Sequence, residues 1–534
     1  MSPEPSSPMA RTTWILGLVL LSAVGAQAVR ILTVRATTGE TPFLSANDRS
    51  RWCSVAALGG YGQFEIDRFL EIRDPKTKRR SWNTIDLVRH RGWDGKQHYY
   101  SSKPPLLSAI YAAVYAAVRM TTSLSLLTET FTTARIILVL VNLLPLAAFW
   151  WLWARYWQQQ QFSRWTCVIM TCFMVWGTFI STFGNTLNNH VPGAIAAGLS
   201  LWTTLQILEA GKRELGWYIL AGASAAFCAV CELPSLSWTA AVVALVLPSA
   251  PKRAAQGLAI GILPIALAFA CVNYWAHGDL RPPYAHRAVG ALVVSIPREG
   301  SARNLSDDAS GIRQAVRAQG YDVSDQSSVE ASRTPGVHQL WDETSQYRFA
   351  LVTAGDQIRI HQWDDWYDYP NSYWYPDRKQ GVDRGERSRL AYLFHTTFGH
   401  HGIFSLTPMW LLLPIGAFAI WRGAAEDKRL PWQDGRTRIM LAIVAATLVC
   451  FAFYIARPLE DRNYGGVNCG FRWMFWFTPL WCWMVAQGIE RFRAPWVKAF
   501  VILALMVSIY SANAAWHNPW TAPWLTAWFP SSGT

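Results

Sequence analysis

The chain has 534 residues, of which 51% are hydrophobic and only 16% charged, with mean hydropathy +0.11 and formal net charge +13. Soluble domains carry about 25% charged residues. Here apolar windows of about 20 residues recur along the sequence, which excludes an ordinary soluble enzyme and predicts a polytopic helical membrane protein. The positive balance does not point to nucleic acid, because the Lys and Arg residues lie in connections between apolar runs, where membrane topology accounts for them.

In chain order, spans are expected near 13–33, 134–153, 166–184, 191–208, 216–231, 236–250, 255–276, 401–421, 437–456, 472–488 and 497–513, about eleven transmembrane helices in all. The first apolar run contains Ala26-Gln27-Ala28, which has the form of a signal-peptide cleavage site. The run continues through Leu32, however, and reads as an uncleaved first span. Residues 34–103 and 277–398 are too polar to span and long enough to fold. The segment from Pro104 to Met120 is apolar, but if it crossed, Arg155, Arg164, Lys212 and Arg213 would all fall outside. It is therefore expected to lie in the outer leaflet.

With the N-terminus inside, the short inner connections hold those four cations, then Lys252 and Arg253, then Arg422, Lys428, Arg429, Arg436 and Arg438, then Arg491, Arg493 and Lys498. The outer connections near 185–190 and 232–235 hold none, while 457–471 is an exception with Arg457 and Arg462. The expected organisation is a transmembrane module over 1–276 that includes the first outer loop (34–103), an extracytoplasmic loop domain over 277–398 built as a small mixed or helical cap, and C-terminal helices with a tail over 399–534. The expected location is the cytoplasmic (inner) membrane, with the chemistry on the extracytoplasmic face. The 30 Trp residues are assigned largely to interfacial belts. Cys228 and Cys231 form a C-x-x-C inside an apolar run with no second pair and read as packing. Cys53 and Cys469 are both placed outside and could pair.

Several polar residues sit where loops meet spans. Lys103 closes Tyr99-Tyr100-Ser101-Ser102-Lys103-Pro104-Pro105. A cation fixed beside two prolines at the membrane boundary suits a lipid phosphate, and Tyr100 is a substrate-contact candidate next to it; the competing reading is a snorkelling Lys. Asp48, in Ser45-Ala46-Asn47-Asp48-Arg49, is placed to deprotonate an acceptor hydroxyl. It reads equally as a helix cap, or as a surface Asp paired with Arg49 or Arg51.

The loop Asn185-Thr186-Leu187-Asn188-Asn189-His190 crowds amides and an imidazole where a tight turn would suffice, so Asn188, Asn189 and His190 are candidates for phosphate or sugar contacts. Glu232 ends an apolar run with no nearby cation in sequence and asks for a partner across the fold. His400 and His401 (with His395 before them) and Arg472 complete the set. No H-E-x-x-H pattern accompanies the histidines, and a metal is not favoured. Under the topology above, all these residues fall on the outer side.

A first span, an Asp in the first outer loop and a Lys-Pro-Pro before an apolar helix resemble the integral-membrane GT-C glycosyltransferases. Over residues 13–210 the pattern is most similar to the lipid A aminoarabinose transferases and the dolichyl-phosphate-mannose protein mannosyltransferases. The resemblance implies a GT-C-like bundle and an inverting transfer from a polyprenyl-phosphate-linked sugar to a lipid, glycan or protein acceptor. It implies Asp48 as general base, Lys103 on the carrier phosphate and His190 assisting. The chain departs from the family pattern in two places. Asn188, Asn189 and His190 stand where the family often has a second acidic residue, and Arg49 follows Asp48, so that a second carboxylate would have to come from Glu65 or Asp67. No cofactor is therefore expected. The alternatives are a lipid-linked sugar flippase or a non-catalytic carrier-binding protein. Polar groups gathered at the outer mouths rather than at mid-membrane favour the enzyme.

Overall fold

The computed structural model describes residues 8–298, 305–428, 430, 432–492 and 494–529. Arg429 and Arg493, counted above among the inner cations, lie outside the described residues, as do positions 299–304 of the expected loop domain. The chain divides into two compact units, one from 1–48, 117–269 and 380–534, the other from 49–116 and 270–379.

The first unit is helical. Among the described residues, eight helices are long and apolar enough to cross a membrane: Arg11–Leu32, Thr130–Gln159, Arg164–Asn185, His190–Leu208, Pro251–His277, Pro408–Glu426, Gly435–Ala456 and Pro495–Ala514. The protein is thus a polytopic helical membrane protein with a smaller sheet-bearing unit. The other three expected spans form shorter helices, Leu215–Cys231, Leu236–Val246 and Thr478–Arg491. In the middle case 3-10 turns at Leu233–Ser235 and Leu247–Ser249, each carrying a proline, break the run at both ends. In the last, the 3-10 stretch Arg472–Phe477 takes up the first turns of the expected span.

Some tryptophans lie inside the fold rather than at its surface. Trp52, Trp150, Trp153, Trp157, Trp238, Trp476 and Trp483 are fully buried. Between helices in lipid, close packing and hydrogen bonds rather than water exclusion drive association, and two of these indoles make such bonds. Trp238 Nε1 donates to Ser200 Oγ at 2.7 Å and Trp483 Nε1 to Tyr156 Oη at 3.2 Å. Cys53, Cys228, Cys231 and Cys469 form no disulfide, so the pairing of Cys53 with Cys469 is not made.

The second unit carries two antiparallel sheets. Strands β1 (Leu87–Arg91) and β2 (Gln97–Ser101) form a hairpin with Val88 opposite Tyr100. The larger sheet takes β3 (Arg287–Pro297), β4 (Ser328–Ala331), β5 (Val337–Trp341), β6 (Arg348–Ala354) and β7 (Gln357–Asp365) in the order β3-β7-β6-β5-β4. Side chains alternate across a strand. One face therefore presents Leu340, Phe349, Leu351, Ile358 and Ile360, which pack with Ile312 and Val316 of the helix Ala309–Ala318. Ile312 and Val316 are one helical turn apart and share a face. Register places Trp341 opposite Arg348 and Glu330 opposite Gln339, all directed to the other face of the sheet.

The helix Pro105–Thr122 begins on the second proline of the Lys-Pro-Pro run, where a missing N–H costs nothing. Leu107, Tyr111, Tyr115 and Val118 recur on one face and are buried.

Candidate functional site

Within the helical unit, the site is built around the turn at 183–190. A short 3-10 turn, Phe183–Asn185, leaves the backbone in an irregular path before the helix His190–Leu208 begins. Irregular backbone inside a membrane protein needs side-chain partners for its polar groups, and residues far apart in sequence supply them. Arg30, only 4% exposed, donates from Nη1 to Ser181 O and from Nη2 to Thr182 O, both at 2.6 Å, and from Nε to Trp516 O at 2.8 Å. Asn142, within the single π-helical turn Val139–Leu143, donates to Gly184 O at 3.1 Å and Thr186 O at 2.9 Å. Asn188 donates to Phe183 O and Thr186 O, both at 2.8 Å, and accepts from Val191 N at 2.9 Å.

Asp48 joins this turn to the first loop. Its Oδ2 accepts Leu44 N–H at 2.8 Å, while Ser45 Oγ accepts Asp48 N–H at 3.1 Å. Ser45 Oγ thus caps the start of the helix Ala46–Tyr61, and the Asp48 carboxylate reaches back to the residue before that cap. Its other oxygen, Oδ1, accepts Leu187 N–H at 2.9 Å, 139 residues away. The carboxylate is fully buried.

Glu232 finds its partner in His190. Glu232 Oε1 lies 2.6 Å from His190 Nδ1 and accepts from Asn189 Nδ2 at 2.7 Å. On the other side of the ring, Arg472 Nη1 lies 2.8 Å from His190 Nε2. A guanidinium only donates, so Nε2 must accept. The ring proton is therefore on Nδ1, directed at Glu232, and His190 is a neutral imidazole. The result is a chain, Glu232–His190–Arg472, drawn from positions 190, 232 and 472. Glu232 and His190 are 5% and 1% exposed, whereas Arg472 is half-buried. Arg472 Nε donates to Gly465 O at 2.6 Å, and its guanidinium lies 5.1 Å from the Trp520 ring centroid, which fixes the plane of the fork.

His400 and His401 pack beside the loop that presents Arg472. Their Nδ1 atoms are 2.5 Å apart, and His401 stacks on Tyr464 with centroids 4.3 Å apart. Tyr464 Oη donates to Glu386 at 3.1 Å. Burial pushes His400 down to about 4, with His395 adding to the shift, and burial pushes His401 well below the ordinary range. Both rings are neutral supports for the 464–472 loop.

In the sheet-bearing unit, Lys103 Nζ lies 3.1 Å from Asp86 Oδ1. Tyr100 is buried, stacked on His90 at 4.2 Å, and donates to Glu65 at 3.2 Å.

Four of the sequence candidates, Asn189, His190, Glu232 and Arg472, thus form one cluster, with Asn188 and Asp48 holding its backbone. Sequence reading missed Arg30, Asn142 and Asp86. The signal for the first two was a lone polar residue at the end of, or inside, an apolar run. Asp86 carried no such signal in a polar loop. Among the described residues, no group of three or more His, Cys, Asp or Glu side chains is arranged to hold a metal ion.

No family model matches the chain, and no curated protein does. Among solved structures it is similar to the archaeal oligosaccharyltransferase AglB from Archaeoglobus fulgidus, in complex with an inhibitory peptide and a dolichol-phosphate, at 12% identity and a TM-score of 0.40. The match covers 96% of this chain and 57% of that one, so the chain spans little more than half of its length.

Proposed function

We propose that the protein is an integral-membrane glycosyltransferase of GT-C type, moving a sugar from a polyprenyl-phosphate donor to an acceptor hydroxyl at the extracytoplasmic face. The observation that carries this reading is the buried Glu232–His190–Arg472 chain, on a turn clamped by Asp48, at the ends of apolar helices. Glu232 fixes the His190 tautomer, and His190 fixes the Arg472 fork, in the way an orienting carboxylate disciplines a catalytic imidazole. A pre-oriented guanidinium suits a phosphate, which it meets with two parallel N–H groups.

In the proposed reaction, Asp48 takes the acceptor hydroxyl proton and the acceptor oxygen bonds to the anomeric carbon. The bond from that carbon to the phosphate oxygen breaks, and its electron pair leaves on the carrier phosphate. Arg472 neutralises the departing charge, and Lys103, in the other unit, is a separate candidate for the carrier phosphate. Asn188, Asn189, His400 and His401 line the helical unit around these groups, and Tyr100 stays a substrate-contact candidate in the sheet-bearing unit. No metal is assigned a role.

The test is incubation of the purified protein in nanodiscs with a panel of radiolabelled polyprenyl-phosphate sugars, with and without envelope acceptor, with and without EDTA. Acceptor-dependent release of polyprenyl phosphate, insensitive to EDTA, is the expected result. Saturable binding without release would replace the enzyme by a carrier-binding protein or flippase. A large reversible loss in EDTA would assign a metal to the site.

A further inference from the structure

The sheet-bearing unit holds a cavity of about 730 Å³ that none of the chemistry above uses. Its size lies within the range of small-molecule sites. One wall is the face of the five-stranded sheet turned away from the helix Ala309–Ala318 and a second is the β1–β2 hairpin, with Tyr321, Tyr347 and Phe349 lining it from the core side. The alternation that sends Leu340 and Leu351 into the core sends Glu330, Gln339, Trp341 and Arg348 to the cavity side. A sheet face turned away from the core is ordinarily a scatter of solvated side chains. This one is instead an ordered set of planar groups.

Arg348 lies 3.6 Å over the Trp363 ring, donates to Gln339 Oε1 at 2.6 Å and pairs with Asp368 at 2.9 Å. Arg91 lies 4.2 Å over Tyr347, and Arg333 3.9 Å over Tyr375. Trp366 is sandwiched between His286 at 3.4 Å and His90 at 4.0 Å. Most aromatic faces are therefore already covered. Trp341 is different: it is half-buried on β5, lines the cavity, and makes no ring contact with another described residue. His277 also lines the cavity, 9% exposed. Its Nδ1 lies 3.0 Å from His90 Nε2, and its Nε2 has no hydrogen-bond partner among the described residues. A buried ring nitrogen left in that state asks for a ligand hydroxyl.

Charge narrows the ligand. Four arginines line the cavity (Arg89, Arg91, Arg333 and Arg348) against two carboxylates, Glu330 and Asp368. Asp368 is already committed to Arg348 and to the Tyr375 hydroxyl at 2.6 Å. A ring-shaped, hydroxyl-rich molecule uses an aromatic platform on its apolar face and planar amides and guanidinium groups at its edges, and an excess of arginine selects an acidic one.

We infer that this cavity binds an acidic saccharide, with Trp341 as the stacking platform, Arg91 and Arg333 meeting the anionic group, and His277 Nε2 meeting a hydroxyl. Its role as the acceptor subsite rests on the transferase reading; the binding itself does not.

The experiment uses the full chain in nanodiscs, titrated with an oligogalacturonide, a sugar 6-phosphate and a neutral gluco-oligosaccharide, followed by calorimetry. The acidic ligands should bind saturably and the neutral one at least about tenfold more weakly, the scale of one charge-assisted hydrogen bond. The first two probes separate a carboxylate from a phosphate as the anion recognised. Trp341→Ala and Arg333→Ala should each weaken binding about tenfold or more, and Arg333, exposed on a loop, can be replaced without disturbing the core. Equal affinity for the neutral sugar, or unchanged affinity in both variants, overturns the inference. Donor turnover is measured on the same samples. Turnover without acidic-saccharide binding removes this site and leaves the transferase reading standing. Binding without turnover does the reverse.

Discussion

Replacing Asp48 by Asn separates the two tasks this side chain is given. The Asp48 carboxylate is fully buried and accepts two backbone N–H groups, from Leu44 and Leu187, at 2.8 and 2.9 Å. In Asp48→Asn one of those oxygens becomes an NH2 facing an N–H, two donors with no acceptor. A lost hydrogen bond to a charged acceptor is worth about 1.5–3 kcal/mol, and a buried donor left unsatisfied costs about 1–3 kcal/mol more. Asp48→Asn should therefore destabilise the helical unit by about 3–5 kcal/mol. Unfolding here is a rate process, so the readout is the apparent melting temperature in nanodiscs at a fixed scan rate, with a drop on the order of 5 °C expected. Hydrogen exchange at the Leu44 and Leu187 amides should rise together. Transfer is then measured at 15–20 °C below the variant's own transition, about the same margin for both proteins. Loss of transfer there, with polyprenyl phosphate still bound, is the outcome expected of a base. An unchanged melting temperature would refute the clamp, and full transfer below the transition would remove Asp48 from the chemistry.

Glu232→Gln keeps the shape of the Glu232–His190–Arg472 chain but removes the charge that holds the His190 proton; transfer should fall about 10–100-fold, with the larger part in kcat, and an unchanged rate would sink the relay. Arg472→Lys should raise the donor KM more than it lowers kcat, since a lysine keeps the charge and loses the fork. Lys103→Ala should weaken polyprenyl phosphate binding and also cost about 1–3 kcal/mol by leaving Asp86 without this cation, read by affinity and by melting temperature; unchanged affinity removes Lys103 from phosphate binding. In the sheet-bearing unit, burial lowers His90 from 6.5 to about 3. Above pH 6.5 both folded and unfolded states hold it neutral, whereas below it only the unfolded state takes up the proton. The unit should therefore lose stability as pH falls from about 6.5 toward 3, by up to about 1.4 kcal/mol per pH unit, and His90→Asn should flatten that slope in tryptophan-fluorescence unfolding.

What was legible in the sequence is what depends on near neighbours. Apolar windows add up locally, so all eleven apolar runs appear as helices. Lengths were less legible, because Pro248 with its 3-10 turn and the 3-10 stretch at Arg472–Phe477 shorten two of them through backbone geometry that a hydropathy sum does not register. Which Trp residues are buried was not legible for a related reason: composition cannot tell an interfacial ring from one interlocked between helices, as Trp153 and Trp483 are. The loop residues Asp48, Asn188, Asn189, His190 and Glu232 stood out because polar side chains crowded the ends of apolar runs. Their partners did not. His190 meets Glu232 across 42 residues and Arg472 across 282, and Asp48 meets Leu187 across 139. The cavity beside Trp341 was equally hidden, since strands as short as Ser328–Ala331 carry too few residues to show which face is core. Hydropathy is a sum over the chain and can be read along it. A hydrogen bond needs a donor and an acceptor to meet at a distance and an angle, and only the tertiary structure decides which of the many polar groups do.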